Sequence, residues 1–309
     1  MRITVCDIDG NEAEMPSVVS MTIAREEDVP ADIFSGVFVY DHDLPELKSV
    51  SVTNESKMLF KGNVDKQTLY CGNGISLLKL TCRSMTSALL DSEAYPRCYV
   101  LPSIDVLYEA CLKPYGIKGV IGKCGTFSTA YVVNKGMSNW QVIDDFCTRF
   151  LNIKPIITPD GYLDISGDNN CEDVLFSNSG GYMYSEMTKT LNRHNQISHV
   201  MARLSLHDDY SYTVTNSEAV ERGIHNIRYL NCAEMPNEYL SLADKIIENS
   251  KKNSVEYTLK CPYMLLDVLG AKATLNDEKI HENGLRIAAC EYHLDSSGEY
   301  TEIKLRKDI

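Results

Sequence analysis

Apolar and polar residues alternate through Ser49-Val50-Ser51-Val52-Thr53 and again through Ile75-Ser76-Leu77-Leu78-Lys79-Leu80. A period of two puts one face of a strand in a core and the other in solvent, so these runs predict half-buried antiparallel strands. Strand patterning of this kind, broken by turn residues, fills about the first 90 residues. Cys71-Gly72-Asn73-Gly74 supplies residues that tolerate positive φ between two such runs, which predicts a hairpin. The long run from Met58 to Leu69 is interrupted by Gly62 and fits a strand that bends at the glycine. Bent strands suit a barrel better than a flat sheet.

Helical spacing takes over after Cys82. Met85 to Glu93 predicts a short helix stopped by Tyr95-Pro96, since proline disfavours helical geometry in the residue before it. Ser103 is placed to cap a helix running to Leu112, with Val106, Leu107, Ala110 and Cys111 on one face and Pro114 and Gly116 at its end. Ser138-Asn139-Trp140-Gln141 has the form of a capping box, and Ile143, Phe146, Cys147, Phe150 and Leu151 follow at helical spacing as far as Pro155. Ile156-Ile157-Thr158 and Tyr162-Leu163-Asp164-Ile165 predict two short strands around the turn Pro159-Asp160-Gly161.

Beyond a polar stretch from Ser166 to Gly181, strand character returns at Ile197–Leu206 and Tyr210–Thr215, which predicts the start of a second β region. Tyr239, Leu242, Ala243, Ile246 and Ile247 mark one more helix, with Asn249 to Asn253 at its polar end. Val255–Leu259, Ala271–Leu275, Arg286–His293 and Tyr300–Leu305 are extended, the last two joined through Ser296-Ser297-Gly298. The predicted class is α+β, mainly β. It has a first β-barrel domain over 1–93, an inserted α/β domain over 94–165, and a second β-barrel domain over 166–309 with a helical insertion around 233–253. Both β regions are built from hairpins and are of similar size, which permits a duplicated barrel.

Charge and composition then narrow the function. The formal net charge of −13 over 309 residues repels phosphate backbones and anionic lipid headgroups, which argues against sequence-specific nucleic-acid binding. No apolar run reaches the ~18–20 residues needed to cross a bilayer as a helix, and Met1-Arg2-Ile3-Thr4-Val5-Cys6-Asp7 has strand rather than signal-peptide character. The 11 cysteines contain no C-x-x-C pair. Several stand in apolar patterns, as in Leu80-Thr81-Cys82 and Phe146-Cys147, where a reduced thiol acts as a small buried hydrophobe.

Candidate chemistry is sparse. Gly180-Gly181 and Gly72-Asn73-Gly74 lack the strand-to-helix context of a phosphate-cradling loop and predict turns. His194 and His199 miss the i, i+4 spacing of a helical metal pair, and His207-Asp208-Asp209 sits at a strand end where a solvated turn is expected. Ser138 in Gly136-Met137-Ser138 lacks the second glycine of a nucleophile elbow and predicts a helix cap. Trp140, the only tryptophan, predicts packing in the first turn of its helix. Eighteen tyrosines against seven phenylalanines suit extensive subunit interfaces, and suit sheets generally. No residue is assigned to catalysis, to a cofactor or to a metal.

Four segments together resemble the baseplate hub family of phage tails, the late-control-D-like proteins similar to the N-terminal part of type VI secretion spike proteins. They are Phe60-Lys61-Gly62-Asn63-Val64 with Leu77 to Cys82 and Ala88-Leu89-Leu90-Asp91; Leu101-Pro102-Ser103 with Lys113-Pro114-Tyr115-Gly116-Ile117; Gly136 to Phe146 with Pro159-Asp160-Gly161-Tyr162-Leu163; and Ala243 through Ser250 to Leu269-Gly270-Ala271. The resemblance implies a homotrimeric ring of pseudo-sixfold symmetry, a symmetry adaptor between a hexameric tail tube and a trimeric central spike. It also implies contacts with the tape measure protein and the baseplate wedge, assembly in the bacterial cytoplasm, and a place in the tail of a virion or a tailocin-like contractile particle. An acidic lumen would pass DNA without holding it. The family supplies no catalytic residue and no appended spike or lysozyme-like domain is expected here. A tail-associated peptidoglycan hydrolase and a carbohydrate-binding tail adhesin stand as the alternatives. The first calls for a reactive constellation and the second for clustered exposed aromatics, and neither is legible in the sequence.

Overall fold

The computed structural model describes residues 1–15, 18–40, 45–55, 57–158, 160–166, 172–233 and 236–308. Pro159 of the expected turn and Cys171 lie outside them. The chain divides into two compact units, one of Met1–Asn170 with Cys290–Tyr300, the other of Cys171–Ala289 with Thr301–Ile309.

The sheet of the first unit contains β1 (Arg2–Asp7), β2 (Glu12–Glu14), β3 (Val18–Glu26), β4 (Val29–Val39), β5 (Leu47–Asn54), β6 (Lys57–Gly72) and β7 (Ile75–Ser84). Their spatial order is β3-β4-β7-β6-β5-β1-β2, antiparallel throughout. The alternation read from the sequence is obeyed: Val50, Val52, Leu78, Leu80 and Cys82 are buried, while their polar neighbours face outward. β6 is shared between partners. Residues 57–63 pair with β5 and residues 62–72 with β7, so the change of partner falls at Gly62. Asn73 and Gly74 adopt φ of 54° and 76° in the β6–β7 turn, as that sequence predicts.

A small α/β module follows within the same unit: α1 (Ser87–Asp91), β8 (Arg97–Tyr99), α2 (Ile104–Leu107), β9 (Val120–Ile121), β10 (Tyr131–Val133), α3 (Asn139–Phe146), β11 (Ile156–Ile157) and β12 (Leu163–Asp164). A wider turn over Tyr108–Leu112 continues α2, and Gly116 ends the segment at φ 83°. Ser138 Oγ accepts from Gln141 N at 3.2 Å and Gln141 Oε1 accepts from Ser138 N at 2.8 Å, so the predicted capping box forms. α3 buries Trp140, Val142, Ile143 and Phe146. Phe146 is fully buried against the rings of Phe127, Tyr131 and Phe150. Ser138→Ala leaves the backbone N–H of Gln141 without its side-chain acceptor, and is expected to lower stability by about 1 kcal/mol in urea unfolding. Gln141→Ala loses the returning bond to the Ser138 N–H, which is exposed, and is expected to cost less.

The sheet of the second unit contains β13 (Val174–Phe176), β14 (Glu186–Leu191), β18 (Val255–Cys261) and β19 (Lys272–Asp277), with parts of β20 (Ile280–Asp295) and β21 (Gly298–Lys307). Their order is β14-β18-β21-β20-β19-β13. Between β14 and β18 the chain forms β15 (His199–Arg203), β16 (Tyr212–Thr215), α4 (Ser217–Glu221), β17 (Ile227–Asn231) and α5 (Tyr239–Lys252). The strands Ile197–Leu206 and Tyr210–Thr215 therefore do not open the second large sheet. They make a separate three-stranded sheet, β16-β15-β17, whose Val200 packs with Ala243 and Ile247 of α5. The amphipathic helix needs an apolar surface of its own, and this sheet supplies it.

The large-sheet strands of the two units repeat one connection pattern. If the six strands β1, β3, β4, β5, β6 and β7 are matched in chain order to β13, β14, β18, β19, β20 and β21, their spatial orders coincide: β3-β4-β7-β6-β5-β1 against β14-β18-β21-β20-β19-β13. In each, a strand of 16 residues turns back into one of 10. In each, the first turn of pairing of that long strand is with the shorter strand before it, β5 or β19. One difference stands out: β1 runs antiparallel to β5, whereas β13 runs parallel to β19. The described pairings are open paths, and no closed barrel is formed by them.

Candidate functional site

The residues weighed in the sequence go to separate places. His194 lies in a short turn, where its carbonyl accepts from Asn226 Nδ2 at 3.2 Å, and the His199 ring sits 2.9 Å from Ser198 Oγ on β15. His207, Asp208 and Asp209 are exposed in the turn before β16. Ser138 is committed to the cap and Trp140 to the core. Cys82, Cys111, Cys147 and Cys261 are buried free thiols. Burial pushes Cys111 up to about 11 and the other three up to about 12, which leaves them protonated and unreactive at neutral pH.

The structure brings together two groups that periodicity does not reveal. On the second unit, Tyr210 and Tyr229 meet edge to face at 5.0 Å, Arg203 lies 5.0 Å over the Tyr210 ring, and Arg203 Nε donates to Asn231 Oδ1 at 3.2 Å. Tyr229 is 64% exposed. Met201 and Tyr229 are register partners on β15 and β17, on the sheet face opposite Val200 and α5. Sequence reading misses this cluster because Arg203, Tyr210 and Tyr229 come from three separate segments whose register the sequence does not state.

The other group lines a groove of about 550 Å³ along α3, formed by Lys135, Gly136, Met137, Gln141, Asp144, Asp145 and Thr148. The capping box fixes its floor by holding Gln141 back onto Ser138. Two adjacent carboxylates enter it in different states. Asp145 Oδ2 accepts from Tyr131 Oη at 3.0 Å and pairs with Arg149 at 3.3 Å. Asp144 is half-buried, and among the described residues its carboxylate has neither a hydrogen-bond donor nor an ion-pair partner. Desolvation first, and the charge of Asp145 second, raise its pKa above the ordinary aspartate range. Tyr131, more deeply buried and facing Asp145, is held protonated.

The sign of the Asp144 effect is fixed by linkage. A carboxyl whose folded-state pKa lies above its unfolded value contributes stability at low pH and loses it as pH rises through the folded value. Asp144→Asn is therefore expected to melt higher than the parent chain at pH 7, with the difference vanishing as pH falls below about 4, the unfolded aspartate value. Scanning calorimetry across that range checks it; a lower melting point for the variant at pH 7 would mean that an internal partner holds the carboxylate.

No family model matches the sequence, and no curated protein matches it. Solved structures do. A tail protein from Neisseria meningitidis MC58 aligns with TM-score 0.79 at 17% identity, over 99% of this chain and 96% of that one. The 43 kDa tail protein of prophage MuSo2 from Shewanella oneidensis aligns with TM-score 0.80 at 14% identity, over 100% and 99%. An Escherichia coli component of the type VI secretion system, described as similar to bacteriophage T4 tail proteins, aligns with TM-score 0.57 at 8% identity, over 99% of this chain and 76% of that one. The chain thus has the fold of phage tail proteins and of their type VI secretion counterparts, in line with the resemblance read from its sequence.

Proposed function

We propose that the chain is a structural hub subunit: three copies form a ring of pseudo-sixfold symmetry that joins a hexameric tail tube to a trimeric spike. The observation that carries this reading is the repeated strand order. A ring of three chains can meet a sixfold cylinder only if each chain offers two alike modules, and the large-sheet strands of the two units share one order over six strands. In the assembled ring each sheet would curl into a tube-like barrel, with its long strand, β6 or β20, turning the corner between two partners. The likeness to tail proteins over almost the whole of both chains supports the same reading. Tube and spike subunits, the tape measure protein and a baseplate wedge would be the partners, and the site of action a virion tail or a related particle.

Sedimentation equilibrium of the purified chain, with and without tube subunits, tests the stoichiometry. A species of three chains is expected, and electron micrographs should show a ring with six similar lobes. A chain that stays monomeric with tube subunits present would overturn the proposal. One observation favours a glycan-binding role as the second reading: the exposed Tyr229 ring beside Tyr210, Arg203 and Asn231 offers an aromatic platform with hydrogen-bonding neighbours. Retention of the chain on purified cell-wall glycan, lost in Tyr229→Ala, would support it.

A further inference from the structure

The matched long strands do not meet the same surroundings. β6 and β20 both have 16 residues and both run into a turn, so Leu69 and Tyr70 of β6 stand where Tyr292 and His293 stand in β20. The end of β20 is covered. Cys290–Tyr300 belongs to the first unit, and there β20 lies beside β3, with Tyr292 fully buried and His293 Nδ1 3.4 Å from Thr22 Oγ1. The end of β6 is bare: Leu69 is 50% exposed, and Tyr70, Cys71 and Ile75 around the same turn are exposed as well.

Backbone pairing repeats the difference. β6 leaves β5 at Asn63 and keeps only β7, so beyond that point one of its edges has no strand beside it among the described residues. The Gln67 amide bonds Leu47 N at 2.9 Å and the Pro45 carbonyl at 3.2 Å, which leaves residues 68–72 as the open length. β14, the match of β3 in the repeated order, pairs with β18 on one edge and, among the described residues, with no strand on the other. Its Leu191 is 65% exposed, and Thr188 and Thr190 point away from the buried face of the sheet, as Thr22 does on β3. An open edge that carries exposed apolar side chains is a template for another strand. One junction, β20 with β3, is made inside the chain, and the other matched pair, β6 and β14, is left unmade.

We infer that the open edge at the end of β6 pairs with β14 of a second copy of this chain, repeating between copies the β20–β3 junction made within one. The inference rests on the hub reading for the number of copies, and adds to it the contact that closes the ring. β6 and β14 are different surfaces, so the contact is head to tail, and each added copy presents one edge of each kind until the third meets the first. Leu69 comes under cover as Tyr292 is, and the outward Tyr70 lies along the threonines of β14 as His293 lies by Thr22. The occupant is a copy of this chain because the neighbour that each edge lacks is the strand the repeated order itself supplies.

Leu69→Lys and Leu191→Lys each place a charge on one edge, at a side chain exposed in the separate chain, so both variants should keep the circular dichroism spectrum of the parent. Under conditions in which the parent forms three-chain rings, each variant alone is expected to associate about thirtyfold or more weakly in sedimentation velocity. Mixed in equal amounts, the two should form a species of two chains and stop, since β14 of the first and β6 of the second remain intact. Amide exchange over residues 68–72 and Glu186–Leu191 should slow about tenfold or more when the parent assembles, compared with the parent diluted to separate chains. Single variants that form rings like the parent, a mixture that stays monomeric or reaches three chains, or exchange in those segments within about threefold of the separate chain would overturn this inference, while the parent ring upholds the hub reading. A parent that never reaches three chains overturns both.

Discussion

Phe146→Ala is expected to lower the unfolding free energy by about 3–5 kcal/mol. The ring is wholly buried on the inner face of α3 and meets Phe150 stacked at 4.9 Å, Tyr131 edge-on at 5.5 Å and Phe127 edge-on at 5.9 Å. Truncation removes its transfer free energy and its aromatic contacts, and leaves a void that neighbours can fill only in part. Val142, Ile143 and Cys147 sit on the same buried helix face, and Tyr131 Oη is tied to the Val142 carbonyl at 3.1 Å and to Asp145 at 3.0 Å. Those bonds keep Tyr131 from swinging into the space. In urea unfolding the midpoint should fall while the slope stays constant, and amide exchange should quicken first in α2 and α3. A loss under about 1 kcal/mol would mean that the ring cluster collapses freely and does not organise the module.

Much of this module was legible before the structure, for a definable reason. The capping box, the i, i+3, i+4 apolar row of α3 and the glycine that ends the α2 segment are local signals, each complete within a few residues. The β6–β7 hairpin was legible on the same terms, since its turn needs positive φ at Asn73 and Gly74. Long-range pairing was not. Burial alternates in β15 as it does in β5, yet β5 joins the large sheet and β15 a three-stranded layer under α5. Nothing in either strand states which partner it will find. The polar Glu186–Leu191 segment has little strand patterning because it is an edge strand exposed on both faces, and it becomes β14 through its pairing with β18. The Tyr210–Tyr229 contact depends on that same unreadable register.

The repeated strand order shows why a duplicated architecture can hide from sequence comparison. What the two sheets share is the sequence of connections and the two-partner long strand. Neither demands particular side chains, only alternation and a flexible point where the partner changes. Gly62 supplies that point in β6 and Gly284, at φ 65°, lies early in β20. Residue identity is free to drift around such a frame, which fits the 14–17% identity to tail proteins that superimpose along the full chain.

Gly62→Ala tests that frame at its tightest position. A Cβ on Gly62 would lie 2.1 Å from the Arg83 carbonyl oxygen and 2.6 Å from the Phe60 ring. The first contact is with backbone of the paired strand, so no side-chain rotation relieves it. Nor can β7 retreat easily. Arg83 is held by Asp65 at 2.7 Å and by Asp91 of α1 at 2.7 Å, and Leu80 and Cys82 of the same strand are fully buried. Replacing glycine elsewhere commonly stabilises by about 0.4–1 kcal/mol through the unfolded chain. Here the overpacking is expected to exceed that gain and leave a net loss of about 3 kcal/mol or more. Gly125→Ala is the matched control, since its Cβ meets nothing within 4 Å and its φ is ordinary; it should be neutral or slightly stabilising. If the hub reading is right, Gly62→Ala should also abolish the three-chain species at temperatures where the monomer remains folded, because the corner of β6 shapes the barrel that the ring requires. A Gly62→Ala chain as stable as the control would show that β6 and β7 do not approach as closely as their register demands.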